Sequence, residues 1–351
     1  MNGRITLSVA LVVALAGALG VAGEREVNLG RLLERFPEAD ANGDGKLTRE
    51  EARAFWQKRR AAQTGQDRGA NRLAAEKLPA VHEARTFKGM SYRLMKPIDL
   101  ADHPEKAYPL ILSLHGAGGR GSDNIKNLRP WNGVLAEEAR RRKHPCFVVV
   151  PQTEAPWTVA GSTPELTDER IATFPEAWQK VIARRRARGM ASGAGDLGKV
   201  FDLLDALAKE FTIDRDRVYV LGHSMGGAGT WNAIGAQPER FAAAIPTAGG
   251  FAPWHDAKQI ADVPIWAFHG ESDPVVPVEL TRLVFGQLKG LGGNMKYTEL
   301  KGVRHDANTF AFVYTGDDAA RGFVTQYAGD RCDKTADVWD WLFAQKRRTG
   351  K

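Results

Sequence analysis

Residues 217–235 read RVYVLGHSMGGAGTWNAIG, and this stretch decides the fold. Its first part is a short apolar run typical of a strand, and its last part is rich in small residues that suit the start of a helix. Gly222-His223-Ser224-Met225-Gly226 lies between them and fits the pattern G-x-S-x-G. The two glycines permit a strained turn that exposes the serine hydroxyl, and the helix N-terminus places a positive dipole behind it. Ser224 is therefore the predicted nucleophile of an α/β sheet.

A serine nucleophile needs a histidine base and a carboxylate that orients the base. Asp273 follows the apolar run 263–270, and His305 follows the run 295–302. Both positions correspond to carboxyl ends of predicted strands, where the active sites of open α/β sheets lie. The chain order is Ser224, Asp273, His305, with separations of 49 and 32 residues. Glu271 is the alternative candidate for the acid.

The predicted oxyanion hole comes from an earlier strand end. The run YPLILSLHG (108–116) continues into Ala117-Gly118-Gly119. Glycines after a strand let a backbone N–H point into the site, and the second donor comes from the residue after the nucleophile. The N–H groups of Ala117 and Met225 are therefore expected to bind the oxyanion of a tetrahedral intermediate. Acyl transfer by such a site needs no metal.

Most other strand candidates are continuously apolar rather than alternating, among them residues 146–151 and 241–250. Continuous apolar runs are expected when helices cover both faces of a sheet. The best helix candidate is 196–211, whose apolar residues recur at helical spacing. The pattern predicts a doubly wound, mostly parallel α/β sheet over residues 86–351.

Residues 152–195 form a long connection between a strand and the next core helix. We expect either a lid or pocket wall, with Trp157 packing on an aromatic or sugar group of the substrate, or an outer helix with Trp178 in the core. The run Arg184-Arg185-Arg186 is typical of a solvated helix face, and an anion clamp is the alternative.

Residues 40–51, DANGDGKLTREE, fit the twelve-residue EF-hand calcium loop. Gly45 permits the sharp turn at the sixth position, and Thr48 stands at the ninth, where it binds directly or through water. Apolar flanks at helical spacing predict a small helix–loop–helix unit over residues 23–60, with structural calcium as its ligand. No second such loop follows. The expected ligands are Asp40, Asn42, Asp44, the Lys46 carbonyl and Glu51.

The N-terminal residues 1–22 carry one arginine and then a long apolar run ending in small residues, which predicts a secretory signal peptide. An uncleaved membrane anchor is the alternative, and in either case the protein is expected to work outside the cytoplasm. The two cysteines, Cys146 and Cys332, can form at most one disulfide.

The net charge of +7 is concentrated in one place, because residues 53–77 hold seven Lys/Arg against two Asp/Glu. A protein that binds nucleic acid over its whole surface is therefore not expected. We interpret the polar, basic segment 61–85 as a linker.

Taken together, LHGAGGRGSDN (114–124), VLGHSMGGAGTWNAI (220–234), PIWAFHGESDPVVPV (264–278) and YTELKGVRHDA (297–307) resemble a group of α/β-hydrolases. That group holds secreted bacterial feruloyl and acetyl-xylan esterases, polyhydroxybutyrate-depolymerase-like proteins and predicted peptidases related to dienelactone hydrolase. The resemblance covers residues 86 to 345. It implies that Ser224, Asp273 and His305 are the triad and that Ala117 and Met225 are the oxyanion donors.

The expected activity is hydrolysis of carboxylic esters through an acyl-enzyme, with an ester on a plant or microbial polysaccharide as the first choice of substrate. The expected location is outside the cell or in a bacterial periplasm. A serine peptidase of prolyl-oligopeptidase type is the second candidate. A non-catalytic, calcium-dependent surface-binding module is the third.

Overall fold

The computed structural model describes Leu29, Leu33 and residues 37–55, 75–187 and 195–347. The predicted signal peptide, residues 1–22, lies outside the described residues. No described helix is long and apolar enough to cross a membrane. The chain divides into two compact units, Met1–Gly69 and Ala70–Lys351.

The first unit contains the predicted calcium loop. A 3-10 turn spans Pro37–Ala39, and residues 49–55 are helical. Ala39, Leu47 and Ala52 are buried together, and Leu29, Leu33 and Phe55 pack against them. The apolar residues that flank the loop therefore form a small core of their own.

The second unit is built on one nine-stranded sheet with the order β1-β2-β4-β3-β5-β6-β7-β8-β9. The five pairs from β4 through β3 and β5 to β8 are parallel, whereas the β1–β2, β2–β4 and β8–β9 pairs are antiparallel. The predicted mostly parallel sheet is confirmed. The strands are β1 Glu83–Phe87, β2 Met90–Met95, β3 Tyr108–Leu114, β4 Phe147–Pro151, β5 Ile213–His223, β6 Ala243–Thr247, β7 Ile265–Gly270, β8 Met295–Leu300 and β9 Phe323–Tyr327.

Helices connect these strands and cover both faces of the sheet. Each face accordingly has its own cluster of buried apolar residues. They are α1 Leu78–Val81, α2 Pro130–Ala136, α3 Glu138–Lys143, α4 Asp168–Ala172, α5 Glu176–Ala187, α6 Leu197–Glu210, α7 Met225–Ala236, α8 Glu279–Gly290, α9 Asn308–Ala311 and α10 Val338–Ala344. Short 3-10 turns lie at Ala75–Lys77, Ala117–Gly119, Pro238–Arg240, Ala257–Ile260 and Ala319–Arg321. The helix predicted over 196–211 is α6.

The folded unit begins earlier than the sequence suggested. Residues 75–85, which we had expected to belong to a linker, form a 3-10 turn, α1 and the start of β1. Leu78 and His82 are fully buried, so this segment packs on the sheet.

Cys146 and Cys332 are both buried free thiols. Burial raises the pKa of Cys146 to about 12, which keeps it protonated and unreactive at neutral pH.

Candidate active site

The nucleophile turn has the geometry that its sequence predicts. Ser224 follows β5 directly and adopts φ 60°, ψ −116°, a strained conformation for a residue with a side chain. Its N–H donates to the carbonyl of Thr247 at 2.9 Å, which ties the turn to the end of β6. Helix α7 starts at the next residue, so the hydroxyl lies at a helix N-terminus.

The three predicted side chains are within hydrogen-bond distance of one another. Ser224 Oγ lies 2.8 Å from His305 Nε2, and His305 Nδ1 lies 2.7 Å from Asp273 Oδ2. The strand ends of β5, β7 and β8 bring them together from positions far apart in the chain. With Nδ1 protonated, Nε2 is free to accept the proton of the serine hydroxyl.

Asp273 is held by more than the histidine. Its Oδ1 accepts the backbone N–H groups of Val275 and Val276 at 2.8 and 3.0 Å. Its Oδ2 lies 3.4 Å from Nε2 of the buried His269. Burial alone would raise the pKa of Asp273, but the hydrogen bonds from His269 and His305 outweigh it and hold the pKa well below its usual range. Asp273 therefore stays ionised.

His269, a buried residue at the end of β7, lies against the acid. Its Nε2 also donates to the carbonyl of Val276 at 2.9 Å. The only signal in the sequence was the four-residue spacing of His269 and Asp273. Glu271, the alternative acid, accepts the N–H of Gly302 at 3.0 Å and has no contact with His305. The geometry therefore favours Asp273.

The predicted oxyanion loop lies beside the nucleophile. A Cβ on Gly116 would come within 3.5 Å of the Cβ of Ser224, so the loop after β3 touches the turn after β5. Ala117 starts a 3-10 turn there, and Met225 is the first residue of α7. Because the first N–H groups of a helix have no partner within it, the N–H of Met225 has no bond within α7. The two predicted donors therefore belong to segments that both adjoin the turn at Ser224.

Two histidines, the buried His115 and the half-buried His223, lie in this region. His115 Nδ1 lies 2.8 Å from the Gly116 carbonyl, and its Nε2 accepts the N–H of Thr153 at 3.2 Å. His223 has its ring centre 4.9 Å from that of His305. Burial, followed by the charges of neighbouring groups, lowers the pKa of His223 to about 3, so it is neutral beside the base.

The expectation that Trp157 contacts substrate is wrong. Trp157 is only 1% exposed, and its Nε1 donates to the carbonyl of His115 at 2.9 Å. It packs on Gly229 of α7 and on the ring of His115. Trp157 is therefore a core residue that packs against the end of β3, the strand that leads into the predicted oxyanion loop. The alternative, an outer helix with Trp178 in the core, matches α5, where Trp178 is 9% exposed.

A separate groove of about 660 Å³ lies on the sheet between α8 and β9. Arg282, Tyr297 and Glu299 line it, and Ser224, Asp273 and His305 do not. The arrangement of reactive side chains, and not the size of this groove, identifies the candidate active site.

In the predicted calcium loop, the carboxylates of Asp40 and Glu51 accept hydrogen bonds from other residues of the same loop. Asp40 accepts the N–H groups of Gly43 and Gly45, both at 2.8 Å, and these two glycines adopt φ +73° and +78°. Glu51 accepts the N–H and hydroxyl of Thr48 at 3.0 and 2.7 Å and donates its own N–H to the Thr48 hydroxyl at 3.1 Å, which together form a capping box. The backbone N–H of Thr48 lowers the pKa of Glu51 most, and those of Asn42 and Ala41 contribute less.

Glu51 stands at the twelfth position of the loop, and its carboxylate binds the N–H and hydroxyl of Thr48. The donor set is all oxygen, as a hard cation prefers. Among the described residues, no three His, Cys, Asp or Glu side chains converge closely enough to hold a metal. The oxygen donors and the sequence spacing of the loop residues are those of a calcium loop.

With the geometry described, the chain can be compared with known proteins. A family model for PETase, described as PET hydrolase-like, matches residues 206–323, which include all three triad positions. A thermostable esterase of known crystal structure is 32% identical, with a TM-score of 0.57 over 77% of this chain and 64% of that one. The protein thus shares its fold, a mostly parallel α/β-hydrolase sheet, with an esterase.

Two curated proteins are also similar. An uncharacterized secreted protein of Arthroderma benhamiae is 30% identical over 265 residues, which is 65% of this chain. A bifunctional acetylxylan esterase/xylanase of Neocallimastix patriciarum is 34% identical over 100 residues, which is 27% of this chain. The aligned regions span only 25% and 15% of the lengths of these two relatives.

Proposed function

We propose that this protein is a serine hydrolase that cleaves carboxylic esters through an acyl-enzyme intermediate. The observation that carries the proposal is the position of His305, whose two ring nitrogens lie 2.8 Å from Ser224 Oγ and 2.7 Å from Asp273 Oδ2. An imidazole in this position can remove a proton from the serine and deliver it to a leaving group. Similarity to an esterase of known structure supports the same reaction class.

The reaction proceeds in two halves. In the first, His305 Nε2 takes the Ser224 proton as Oγ attacks the ester carbonyl, and the N–H groups of Ala117 and Met225 bind the oxyanion. The tetrahedral intermediate collapses to an acyl-serine, and the imidazolium gives its proton to the departing alcohol. In the second half, a water molecule repeats the sequence and releases the acid.

The surroundings suit this proton transfer. Asp273 stays ionised and stabilises the imidazolium that forms on His305. His223, 4.9 Å away between ring centres, is neutral and therefore adds no repulsion to that imidazolium. The three side chains can thus complete the catalytic cycle without a further charged group of the protein.

For the substrate, we propose an ester on a polysaccharide of the feruloyl or acetyl type. The similarity to an acetylxylan esterase/xylanase supports this class, although it covers 100 residues. We further propose that the protein acts outside the cytoplasm, since the apolar N-terminal segment has the pattern of a signal peptide and a similar protein is a secreted one.

We also propose that residues 40–51 bind calcium and that the ion is structural. The ligands would be the side-chain oxygens of Asp40, Asn42, Asp44 and Glu51 and the carbonyl of Lys46. The two positive-φ glycines and the inward carboxylates of Asp40 and Glu51 support this assignment.

The test of the hydrolase is replacement of the nucleophile. Ser224→Ala should abolish turnover of p-nitrophenyl acetate and covalent labelling by a fluorophosphonate, whereas Ser91→Ala, on β2, should retain both. Serine-independent turnover, or no turnover by wild type of any acetylated, feruloylated or p-nitrophenyl ester, would overturn the proposal. Peptide substrates in the same panel distinguish an esterase from a peptidase.

A further inference from the structure

Gln152 is a buried polar side chain that contacts the predicted oxyanion loop. It follows β4 directly and is only 2% exposed. Its Nε2 donates to the carbonyl of Gly119 at 3.1 Å and to Asp123 Oδ1 at 2.9 Å. Its Oε1 accepts the backbone N–H of Asn124. One amide therefore binds both ends of the segment 119–124.

The neighbours of this amide fix its orientation. The N–H of Asn124 requires an acceptor, which is the amide oxygen, whereas the Gly119 carbonyl and the Asp123 carboxylate require donors, which are on the amide nitrogen. Asp123 is ionised, because the backbone N–H of Lys126 and then the Gln152 amide hold the pKa of Asp123 well below its usual range. Both N–H donors and the oxygen of the amide thus have partners of the right kind.

The bond to Gly119 leads to the predicted oxyanion donor in two steps. Gly119 accepts from Gln152 through its carbonyl and donates its own N–H to the Gly116 carbonyl at 2.9 Å. The Gly116 carbonyl belongs to the same planar peptide group as the N–H of Ala117. Within the described part of the chain, the N–H of Ala117 has no hydrogen-bond acceptor, so it remains available to an oxyanion.

The loop also lies close to the end of β4. A Cβ on Gly121 would come 3.1 Å from Gln152 Nε2, and Gly121 adopts φ +140°, so a side chain is disfavoured there on both counts. The next residue of the chain, Thr153, donates its N–H to Nε2 of His115 at 3.2 Å, directly before the loop. Two successive residues after β4 therefore hold the segment that follows β3.

We propose that Gln152 is a positioning residue of the oxyanion hole, whose amide holds Gly119 and thereby the N–H of Ala117 in the orientation that binds the oxyanion. The inference rests on the proposed ester hydrolysis, because the oxyanion forms during acyl transfer. A residue that orients an oxyanion donor stabilises the transition state more than the bound substrate. The competing explanation is that Gln152 contributes to the stability of the fold alone.

The test compares two substrates that differ in one atom. p-Nitrophenyl acetate has a carbonyl oxygen, and its thiono analogue has sulfur at that position, which is the weaker hydrogen-bond acceptor. The readout is the ratio of kcat/KM for the oxygen ester to that for the sulfur ester. A smaller fraction of folded enzyme, or a slower nucleophile, affects both esters and cancels. Enzyme in excess over substrate makes slow acylation by the thiono ester measurable.

Gln152→Met keeps the length of the side chain and removes its hydrogen bonds. The ratio should fall about tenfold or more, because loss of one complete oxyanion donor costs about 10²–10³ in kcat. The change should appear in kcat rather than in KM. Gln345→Met is the matched control, since Gln345 Nε2 also donates to a carboxylate and a carbonyl, those of Asp333 and Trp341, at 3.0 and 2.9 Å. It should keep the wild-type ratio.

A second variant uses pH as the switch. In Gln152→Glu, burial and the Asp123 carboxylate should raise the pKa of the introduced carboxyl, although Lys126 pairs with the other Asp123 oxygen at 3.1 Å. The protonated carboxyl can donate to the Gly119 carbonyl, and the ionised form cannot. The ratio should therefore approach the wild-type value at about pH 5 and fall toward that of Gln152→Met at about pH 8. The wild-type ratio should not change over this range.

A ratio that is unchanged in Gln152→Met, or that falls equally in Gln345→Met, would overturn the inference. So would a ratio in Gln152→Glu that does not depend on pH. Failure of both Gln152 variants to fold at either pH, checked by circular dichroism, would also count against it, because Gln152 would then serve stability. In each case, wild-type turnover of p-nitrophenyl acetate that disappears in Ser224→Ala would leave the proposed hydrolase intact.

Discussion

A methyl group on Gly226 would collide with the carbonyl oxygen of Leu114. Leu114 ends β3, which leads into the oxyanion loop, and Gly226 is the second residue of α7, directly behind the nucleophile. The backbones of the two segments therefore come into direct contact at this point. This close approach of the nucleophile turn to the strand before the predicted oxyanion loop requires that residue 226 has no side chain.

This close contact predicts the effect of one methyl group. Gly226→Ala should lower the free energy of unfolding by about 3 kcal/mol or more, at the upper end of the cost of overpacking. The control is Gly286→Ala, on α8, where a Cβ meets nothing within 4 Å. That variant should gain about 0.5–1 kcal/mol. Urea unfolding of both variants measures the difference, and equal stabilities would contradict the contact.

The assignment of the acid predicts unequal effects of two neighbouring carboxylates. Asp273→Asn should lower kcat by about four orders of magnitude, because the amide favours the wrong tautomer of His305. Glu271→Gln should keep activity within about threefold, since Glu271 only accepts the N–H of Gly302, and such a bond contributes about 1 kcal/mol to stability. Circular dichroism checks that both are folded. A larger loss in Glu271→Gln would reverse the assignment.

The position of Trp157 predicts an effect on stability without an effect on substrate choice. Trp157→Ala should cost about 3–5 kcal/mol of unfolding free energy, as expected for a buried aromatic side chain. Trp157→Phe keeps most of the volume and loses the hydrogen bond to the His115 carbonyl, at a cost of about 1 kcal/mol. The ratio of kcat/KM for feruloyl and acetyl esters should be the same in Trp157→Phe and wild type. A changed ratio would restore the pocket role.

Buried histidines predict loss of stability in acid. Burial lowers the pKa of His82 from 6.5 to about 4 in the folded protein. As the pH falls from about 6.5 to 4, the unfolded chain binds a proton that the folded chain does not, so stability decreases by up to about 3 kcal/mol from this group. His82→Gln should flatten the fall measured by urea unfolding at pH 7 and pH 5. An unchanged slope would show that His82 does not contribute.

The calcium proposal predicts a titration of one ion per chain. Isothermal calorimetry of the full chain should give a Kd between about 10⁻⁵ and 10⁻³ M. Glu51→Gln should weaken binding strongly, and Glu50→Gln, at the neighbouring position, should not. Binding that is absent up to several millimolar calcium would remove the site.

Sequence patterns predicted the central strands and the triad because both follow local rules. Parallel strands buried on two faces are continuously apolar, and the turn after β5 needs small residues around Ser224. The pattern gave no sign of β1, β2 or β9, whose polar and apolar residues are mixed.

The burial of Lys296 could not be predicted from the sequence either, because this lysine lies on β8 yet is only 2% exposed. Its Nζ is 3.4 Å from the ring centre of Trp266 and bonds to the Thr335 carbonyl, contacts that depend on distant segments.

Local sequence patterns also do not predict the contacts of Trp157 and of the arginines of α5. A tryptophan near the top of a sheet looks alike in sequence whether it faces a ligand or the core. Likewise, the run Arg184–Arg186 looks uniform, but Arg184 bonds to the carbonyls of Pro274 and Val275 and Arg186 pairs with Asp168.

The bond from Arg184 to the Pro274 and Val275 carbonyls joins the segment between β4 and α6 to the loop that carries Asp273. Exchange of that segment with a homologue would therefore also replace the hydrogen bonds that hold the loop of Asp273. A chimaera in this region keeps the position of that loop when position 184 remains an arginine.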